Sequence, residues 1–203
     1  MTTIAEGGNI LNSSFFAMLF RMKYINRWAL MRNTRNENLS EHSLETAMIA
    51  HALSIIRNKR FDGNVNPDRA ATLALFHDCS EIITGDLPTP IKYHNEKMKF
   101  EYKKIESEAN KRLLSLLPDD LKEEYSTIFD KTENDLELWP LIKAADKLTA
   151  LIKCIEEKNM GNKEFISAEN ASLKALEEMN IPEVKVFIEE FLPSFELTID
   201  EQA

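Results

Sequence analysis

Glycine is scarce in this chain: five residues in 203 positions. Tight β-hairpin turns and Gly-rich phosphate cradles both need residues that tolerate positive φ, so a β-rich sandwich and a P-loop are disfavoured from the outset. An all-α fold is expected. The composition, 43% hydrophobic and 29% charged, is that of an ordinary soluble globular protein. Its length reads as one domain, 1–203, with enough chain to bury a sizeable core.

The apolar spacing sets out the helices. Ser13 or Ser14 caps a first helix with Phe15, Leu19 and Met22 on one side, ending near Arg27-Trp28. The polar, Asn-rich segment 30–39 suits a loop. Ser40 then caps a second helix to about Asn58, with Ala47, Met48, Ala52, Leu53 and Ile56 inward. Asn66-Pro67 starts a third, expected to run to about Thr84 and to stop at Gly85. Residues 86–90 are expected to be extended, since each proline biases its predecessor away from the helical region. Further helices are expected at 96–117, with Ile105, Leu113, Leu114 and Leu117 inward, and at 119–129, 139–158, 163–179 and 182–192. No repeat or change of composition marks a second domain.

Thirty-four acidic against 25 basic residues give a formal charge of −9. A duplex-binding surface is therefore not expected, because such affinity comes from neutralising phosphates. The excess negative charge lies after residue 95, whereas seven of the eight arginines precede residue 70. Arg27, Arg32 and Arg35 are either a small-anion grip or solvated surface arginines. Cys79 and Cys154 lack CxxC spacing and read as reduced core thiols. No segment approaches a membrane span, and a cytoplasmic place is expected.

Four side chains are costly where they stand. His77-Asp78 interrupts the apolar run LALFHDCSEI, and a buried imidazole and carboxylate cost several kcal/mol unless paired or bound to a metal. His42 falls on the flank of the stripe formed by Ile49, Leu53 and Ile56, and Asp146 interrupts the inward face of Ile142, Ala145, Thr149 and Ile152. Each has a purely structural alternative: a satisfied core histidine, or a carboxylate answering an arginine. Together they make a nitrogen and oxygen ligand set without sulfur, suited to a first-row divalent ion with positions open for water and substrate. Glu81, four residues after His77, is the candidate proton relay; its alternative is an exposed helix carboxylate. His51 and His94 have no such company.

The order His42, His77-Asp78, Asp146 resembles the H…HD…D signature of the HD-domain metal-dependent phosphohydrolases. The stretches INRWALMRNTRNENLSEHSLETAMIAHAL, FHDCSEIITGDLPTPIKY and LPSFELTIDE are similar to the bacterial 5′-deoxynucleotidases of that superfamily, the YfbR type, over nearly the whole chain. The resemblance implies an HD-domain helical bundle, a homodimer, and hydrolysis of deoxyribonucleoside 5′-monophosphates with one divalent ion, cobalt first, manganese or another first-row ion otherwise. It implies His42, His77, Asp78 and Asp146 as metal ligands and Glu81 as the catalytic carboxylate. Arg27 orients the phosphate and also counts as catalytic, Trp28 packs on the sugar, and Asp86, Leu87, Pro88 and Thr89 contact the deoxyribose; Asp78 also reaches substrate. Ala29 departs from the family's RWPLM pattern, which bears on sugar selectivity. Hydrolysis of triphosphates or phosphodiesters, or a catalytically silent nucleotide-sensing module, are the alternatives.

Overall fold

The computed structural model describes residues 12–92, 94–130 and 132–202, with backbone alone at 89 and 90. In chain order the helices are α1 Phe15–Leu19, α2 Leu39–Arg60, α3 Pro67–Phe76, α4 Glu81–Thr84, α5 Thr89–Lys92, α6 Glu96–Leu114, α7 Asp119–Phe129, α8 Leu138–Asn159, α9 Ile166–Met179 and α10 Pro182–Glu190. Short 3₁₀ turns join several of them, and no strand occurs among the described residues. The all-α expectation is met.

Two apolar clusters hold these helices together. The larger joins α2, α3, α8 and α10 through Leu53, Leu73, Leu141, Leu148, Leu151 and Phe187. Burying each such side chain contributes about 1.5–3 kcal/mol. The smaller gathers Phe15, Met22, Leu39, Cys79, Leu113 and Leu117 under α6. Leu39, the first residue of α2, belongs to the smaller cluster, whereas Ala47 onward belongs to the larger. The residues between them, His42 included, lie at the seam.

Several local expectations are corrected. The cap of α2 is Asn38, not Ser40: its side chain accepts from the N–H groups of Ser40 and Glu41 at 3.0 and 3.1 Å, while Glu41 Oε2 accepts the Asn38 N–H at 3.1 Å. This reciprocal box contributes about 1 kcal/mol and fixes the turn that carries His42. Met48 and Ile105 point outward, 61% and 49% exposed. Tyr102 and Ala109, with Leu113, are the buried residues of α6. The first helix gives way to a 3₁₀ turn, Phe20–Tyr24, and Ile25 is extended.

The third helix does not run to Thr84. It stops at Phe76, because His77 Nδ1–H donates to the Ala74 carbonyl at 2.6 Å and the chain tightens through i→i−3 bonds before restarting at Glu81. Gly85 then leaves α4 at φ 73°, a region closed to most side chains. Residues 86–88 are extended as expected, but 89–92 form the helical turn α5, where Pro90 takes a first-turn position that needs no N–H partner.

Candidate metal and nucleotide site

The four expected ligands converge. One ligand atom from each of His42, His77, Asp78 and Asp146 lies within 4.8 Å of the others. His42 Nε2 is 3.1 Å from Asp146 Oδ1 and 3.6 Å from Asp78 Oδ2, and His77 Nε2 is 3.1 Å from Asp78 Oδ2. They come from α2, the break after α3, and α8.

Hydrogen bonding orients both imidazoles. His77 Nδ1 faces a carbonyl, which only accepts, so Nδ1 carries a proton and Nε2 is the nitrogen turned to the carboxylates, able to hold a metal once deprotonated. The Thr149 hydroxyl donates its one proton to the Asp146 carbonyl at 2.7 Å, so toward His42 Nδ1, 3.2 Å away, it accepts. The Thr46 hydroxyl, 3.3 Å from Thr149 Oγ1, completes the chain. Both Nε2 atoms therefore face the two carboxylates, with the Thr46 hydroxyl also 3.5 Å from His42 Nε2. His77 Nε2 is buried without a hydrogen-bond partner. Two buried carboxylates call for positive charge among these four side chains, and a divalent ion held by them would supply it in place of imidazole protons. Nitrogen and oxygen donors of this kind fit a first-row divalent ion.

Without a metal, His77 takes up that positive charge as a proton. Burial opposes charge on His77, but the adjacent Asp78 carboxylate outweighs it and raises the imidazole to about 9. Burial would raise Asp78, yet His77 holds it down to about 2; Asp146 is held well below the carboxylate range against burial by His42, then His77 and Arg27.

Glu81 is buried at 4% exposure. Its Oε2 has no partner, and Oε1 lies 3.7 Å from Lys92 Nζ. Burial, then the Asp78 charge, raises its pKa to about 9 despite Lys92. The exposed-carboxylate alternative is thereby excluded.

Arg27 is brought in by a short antiparallel pairing. The Arg27 N–H donates to the Glu37 carbonyl at 3.0 Å, the Leu39 N–H to the Ile25 carbonyl at 2.9 Å, and Asn26 faces Asn38. Its guanidinium, 12% exposed, sits 3.6 Å from Asp78 Oδ2 and 3.5 Å from Glu37 Oε2. Burial works against its charge, but Asp146, Glu37, Asp78 and Asp86 raise its pKa above the usual value. Arg32 and Arg35 do not join it: Arg32 is exposed and paired with Glu164, and Arg35 with Glu41.

Trp28 follows at φ 58°, a left-handed conformation costing about 1–2 kcal/mol for a residue with a Cβ. Its backbone N–H is accepted by Asp86, its indole Nε1–H by Glu37 Oε2 at 2.7 Å, and its ring lies 5.3 Å from that of Phe165. Asp86 is thus tied to Trp28, with Leu87 and Pro88 half-buried beside it in sequence. The Thr89 side chain lies outside the described residues. The loop that follows Trp28 is clamped to α8 by Glu157, which accepts from the Thr34 and Arg35 N–H groups at 2.8 and 3.1 Å and pairs with Lys153 at 2.5 Å.

Sequence reasoning missed Glu37 and Thr149 as site residues. His51 stays half-exposed, 3.6 Å from Asp68, and His94 is exposed; neither reaches the site. A cavity of about 500 Å³ near Asn66, Arg69, Thr127 and Asp135 contains none of the site residues, and its charged pair is closed by the Arg69–Asp135 bridge at 2.8 Å.

The family model described as 5′-deoxynucleotidase YfbR-like matches residues 14–195. A protein of Yersinia pestis (strain Pestoides F) named 5′-deoxynucleotidase is 52% identical over 189 residues, 93% of this chain and 96% of the relative. Among solved structures, an HD-domain phosphohydrolase of Listeria innocua superposes with a TM-score of 0.75 at 24% identity, covering 90% of this chain and 88% of its own. The HD phosphohydrolase of cyanophage S-2L, solved with dA and one catalytic Zn²⁺, gives 0.61 at 18% identity, covering 88% and 96%. These two share the fold. From the match along most of its length and the close relative, the chain belongs to the YfbR-like 5′-deoxynucleotidases.

Proposed function

We propose that this protein removes the 5′-phosphate from deoxyribonucleoside monophosphates at the site of His42, His77, Asp78 and Asp146. The observation that carries the reading is the convergence of two imidazoles and two carboxylates beside a buried arginine and a buried Glu81. A divalent ion bound by those four residues supplies Lewis acidity and lowers the pKa of its water.

The protein's own groups do the rest. Arg27, held charged by its acidic neighbours, meets the phosphate. Water attacks phosphorus in line while charge develops on the leaving O5′. Glu81, held protonated by burial and Asp78 when no cation is present, gives a proton to that oxygen, and the proton released by the attacking water restores it; a cation nearby would draw its pKa down from about 9 toward neutrality, where transfer in both directions is efficient. The Trp28 face leaves a 2′-hydroxyl neither room nor partner, and Asp86 accepts from the 3′-hydroxyl. Ala29, exposed beside Trp28, loosens the backbone where the family pattern is stiffer.

Cobalt is the ion we favour, with manganese or another first-row ion next. We also propose a homodimer, for which Leu44, Met48 and Ile55 offer an exposed apolar stripe on α2; Met48→Asp should turn a sedimenting dimer into a monomer. Two buried free thiols suit a reducing cytoplasm, and no helix among the described residues is long and apolar enough to cross a membrane. The acidic balance disfavours nucleic acid as a partner.

The test strips the metal, restores Co²⁺, Mn²⁺, Mg²⁺ or Zn²⁺ singly, and follows phosphate release from paired deoxyribo- and ribonucleoside monophosphates and from triphosphates. Metal-dependent release from deoxyribonucleoside monophosphates, preferred over their ribo counterparts, is expected. Release of pyrophosphate or triphosphate instead, or no turnover with any ion, overturns the proposal.

A further inference from the structure

We propose that Glu37 is the specificity-positioning residue of this site: it pins the Trp28 indole so that the wall against the sugar cannot yield to a 2′-hydroxyl. The proposal rests on the reading above that Arg27 and Trp28 face the nucleotide.

Glu37 lies in a polar loop, yet its side chain is only 9% exposed. A carboxylate taken that far from water needs strong partners. Oε2 accepts from Trp28 Nε1–H at 2.7 Å and lies 3.5 Å from Arg27 Nε, while Oε1 lies 3.7 Å from His42 Nδ1. One side chain thus links the sugar wall, the phosphate arginine and a metal ligand. Its backbone carbonyl also holds the Arg27 N–H, so Glu37 sits opposite Arg27 at the neck of the loop.

The strain at Trp28 makes the bond matter. Its φ of 58° is an unfavourable backbone state that must be held from outside. Asp86 holds the N–H, and Phe165 lies against the ring at a 56° tilt. Neither contact holds the indole nitrogen; among the described residues that bond comes from Glu37. A site that rejects an added hydroxyl by shape alone discriminates only while its wall stays rigid. Swinging the indole by about 1 Å would admit a ribonucleotide.

The experiment compares wild type with Glu37→Met, which keeps length and volume but cannot accept, and Glu37→Gln, whose amide oxygen still can. Two readouts are taken: the ratio of kcat/KM for a deoxyribo- over a ribonucleoside monophosphate, and solvent exchange of the Trp28 indole N–H by NMR in the metal-free protein, assigned with Trp28→Phe. Glu37→Met should narrow the ratio by about tenfold and leave the indole N–H in fast exchange. Glu37→Gln should keep the ratio within about threefold of wild type and the N–H protected, with any loss appearing equally on both sugars through Arg27. An equal fall on both sugars in Glu37→Met marks a merely structural carboxylate and overturns the proposal, as does a ratio in Glu37→Gln as narrow as in Glu37→Met. Should Glu37→Met fail to fold, the wild-type signal decides: an indole N–H exchanging at solvent rate refutes the pin. Wild type equally fast on both sugars defeats the deoxynucleotidase reading itself, whereas a selective wild type with an equally selective Glu37→Met defeats only the role of Glu37.

Discussion

Replacing Thr149 by valine should weaken metal binding without touching any ligand. The threonine hydroxyl gives its proton to the Asp146 carbonyl at 2.7 Å and accepts from His42 Nδ1–H at 3.2 Å, inside a region where His42 is 0% and Thr149 1% exposed. Valine preserves the shape and removes the acceptor. The His42 ring then loses the bond that directs its Nε2 lone pair toward Asp78 and Asp146. Losing such an outer partner lowers metal affinity about 10–100-fold. Glu37 Oε1 lies 3.7 Å from the same nitrogen and can take over part of the bond after a small ring rotation. The lower end is therefore expected, about tenfold, which corresponds to roughly 1.4 kcal/mol. The assay is competition between the protein and a chromophoric chelator for Co²⁺, with Thr149→Ser as the control that restores the hydroxyl. Thr149→Val binding within twofold of wild type, or Thr149→Ser as weak as Thr149→Val, refutes the tautomer argument.

Metal should also be a large part of thermal stability. Ion at about a thousandfold over its Kd adds roughly 4 kcal/mol, and at about 2–4 °C per kcal/mol for a chain of this size the melt should rise by roughly 8–16 °C; a melt indifferent to Co²⁺ and Mn²⁺ would contradict a shared cation site. Glu81→Gln should lower kcat by about 10²–10⁴-fold while Co²⁺ titrates as in wild type, since the residue moves a proton and does not coordinate; full turnover in Glu81→Gln removes it from the mechanism. Acid should release the loop that carries Trp28. Burial raises the Glu157 pKa, but bonds from Lys153, Asn162, Thr34 and Arg35 outweigh it and hold the carboxylate well below its ordinary range. The stability it contributes is therefore full above the unfolded value of about 4.3 and lost as pH falls below it. Limited proteolysis between residues 29 and 36 at neutral pH should be faster in Glu157→Gln than in wild type, and the difference should shrink as pH falls from about 4.3 toward the depressed folded value; equal cleavage of the two at neutrality contradicts the clamp.

The candidate metal site was legible because its residues violate the pattern around them. His77-Asp78 inside an apolar run and Asp146 between alanines are costly placements, and the cost itself announces a shared partner. The break between α3 and α4 was not legible, since the apolar period continues from Leu73 through Ile82 and Ile83 while the interruption is made by one imidazole bonding back to the Ala74 carbonyl. Asn38 was within reach: Asn38 and Glu41 stand at capping-box spacing, although Ser40 between them drew the expectation. Met48 was misplaced because its neighbours Ala47 and Ile49 take the inward face, and Ile105 because the inward face of α6 runs through Tyr102, Ala109 and Leu113 and leaves it outside. Glu37 left no trace of that kind. It sits among asparagines and charges in a segment with no periodicity, where nothing in the local sequence distinguishes a buried carboxylate from a solvated one. Its burial arises from three residues arriving from elsewhere, Trp28 and Arg27 across the neck of the loop and His42 one turn into α2. A patterned element declares which of its members are out of place, whereas a loop declares nothing until it closes. The candidate ligands borne on helices or at their ends are for that reason the readable half of this site, and the loop carboxylate bonded to Trp28 and Arg27 is the half that the folded chain reveals.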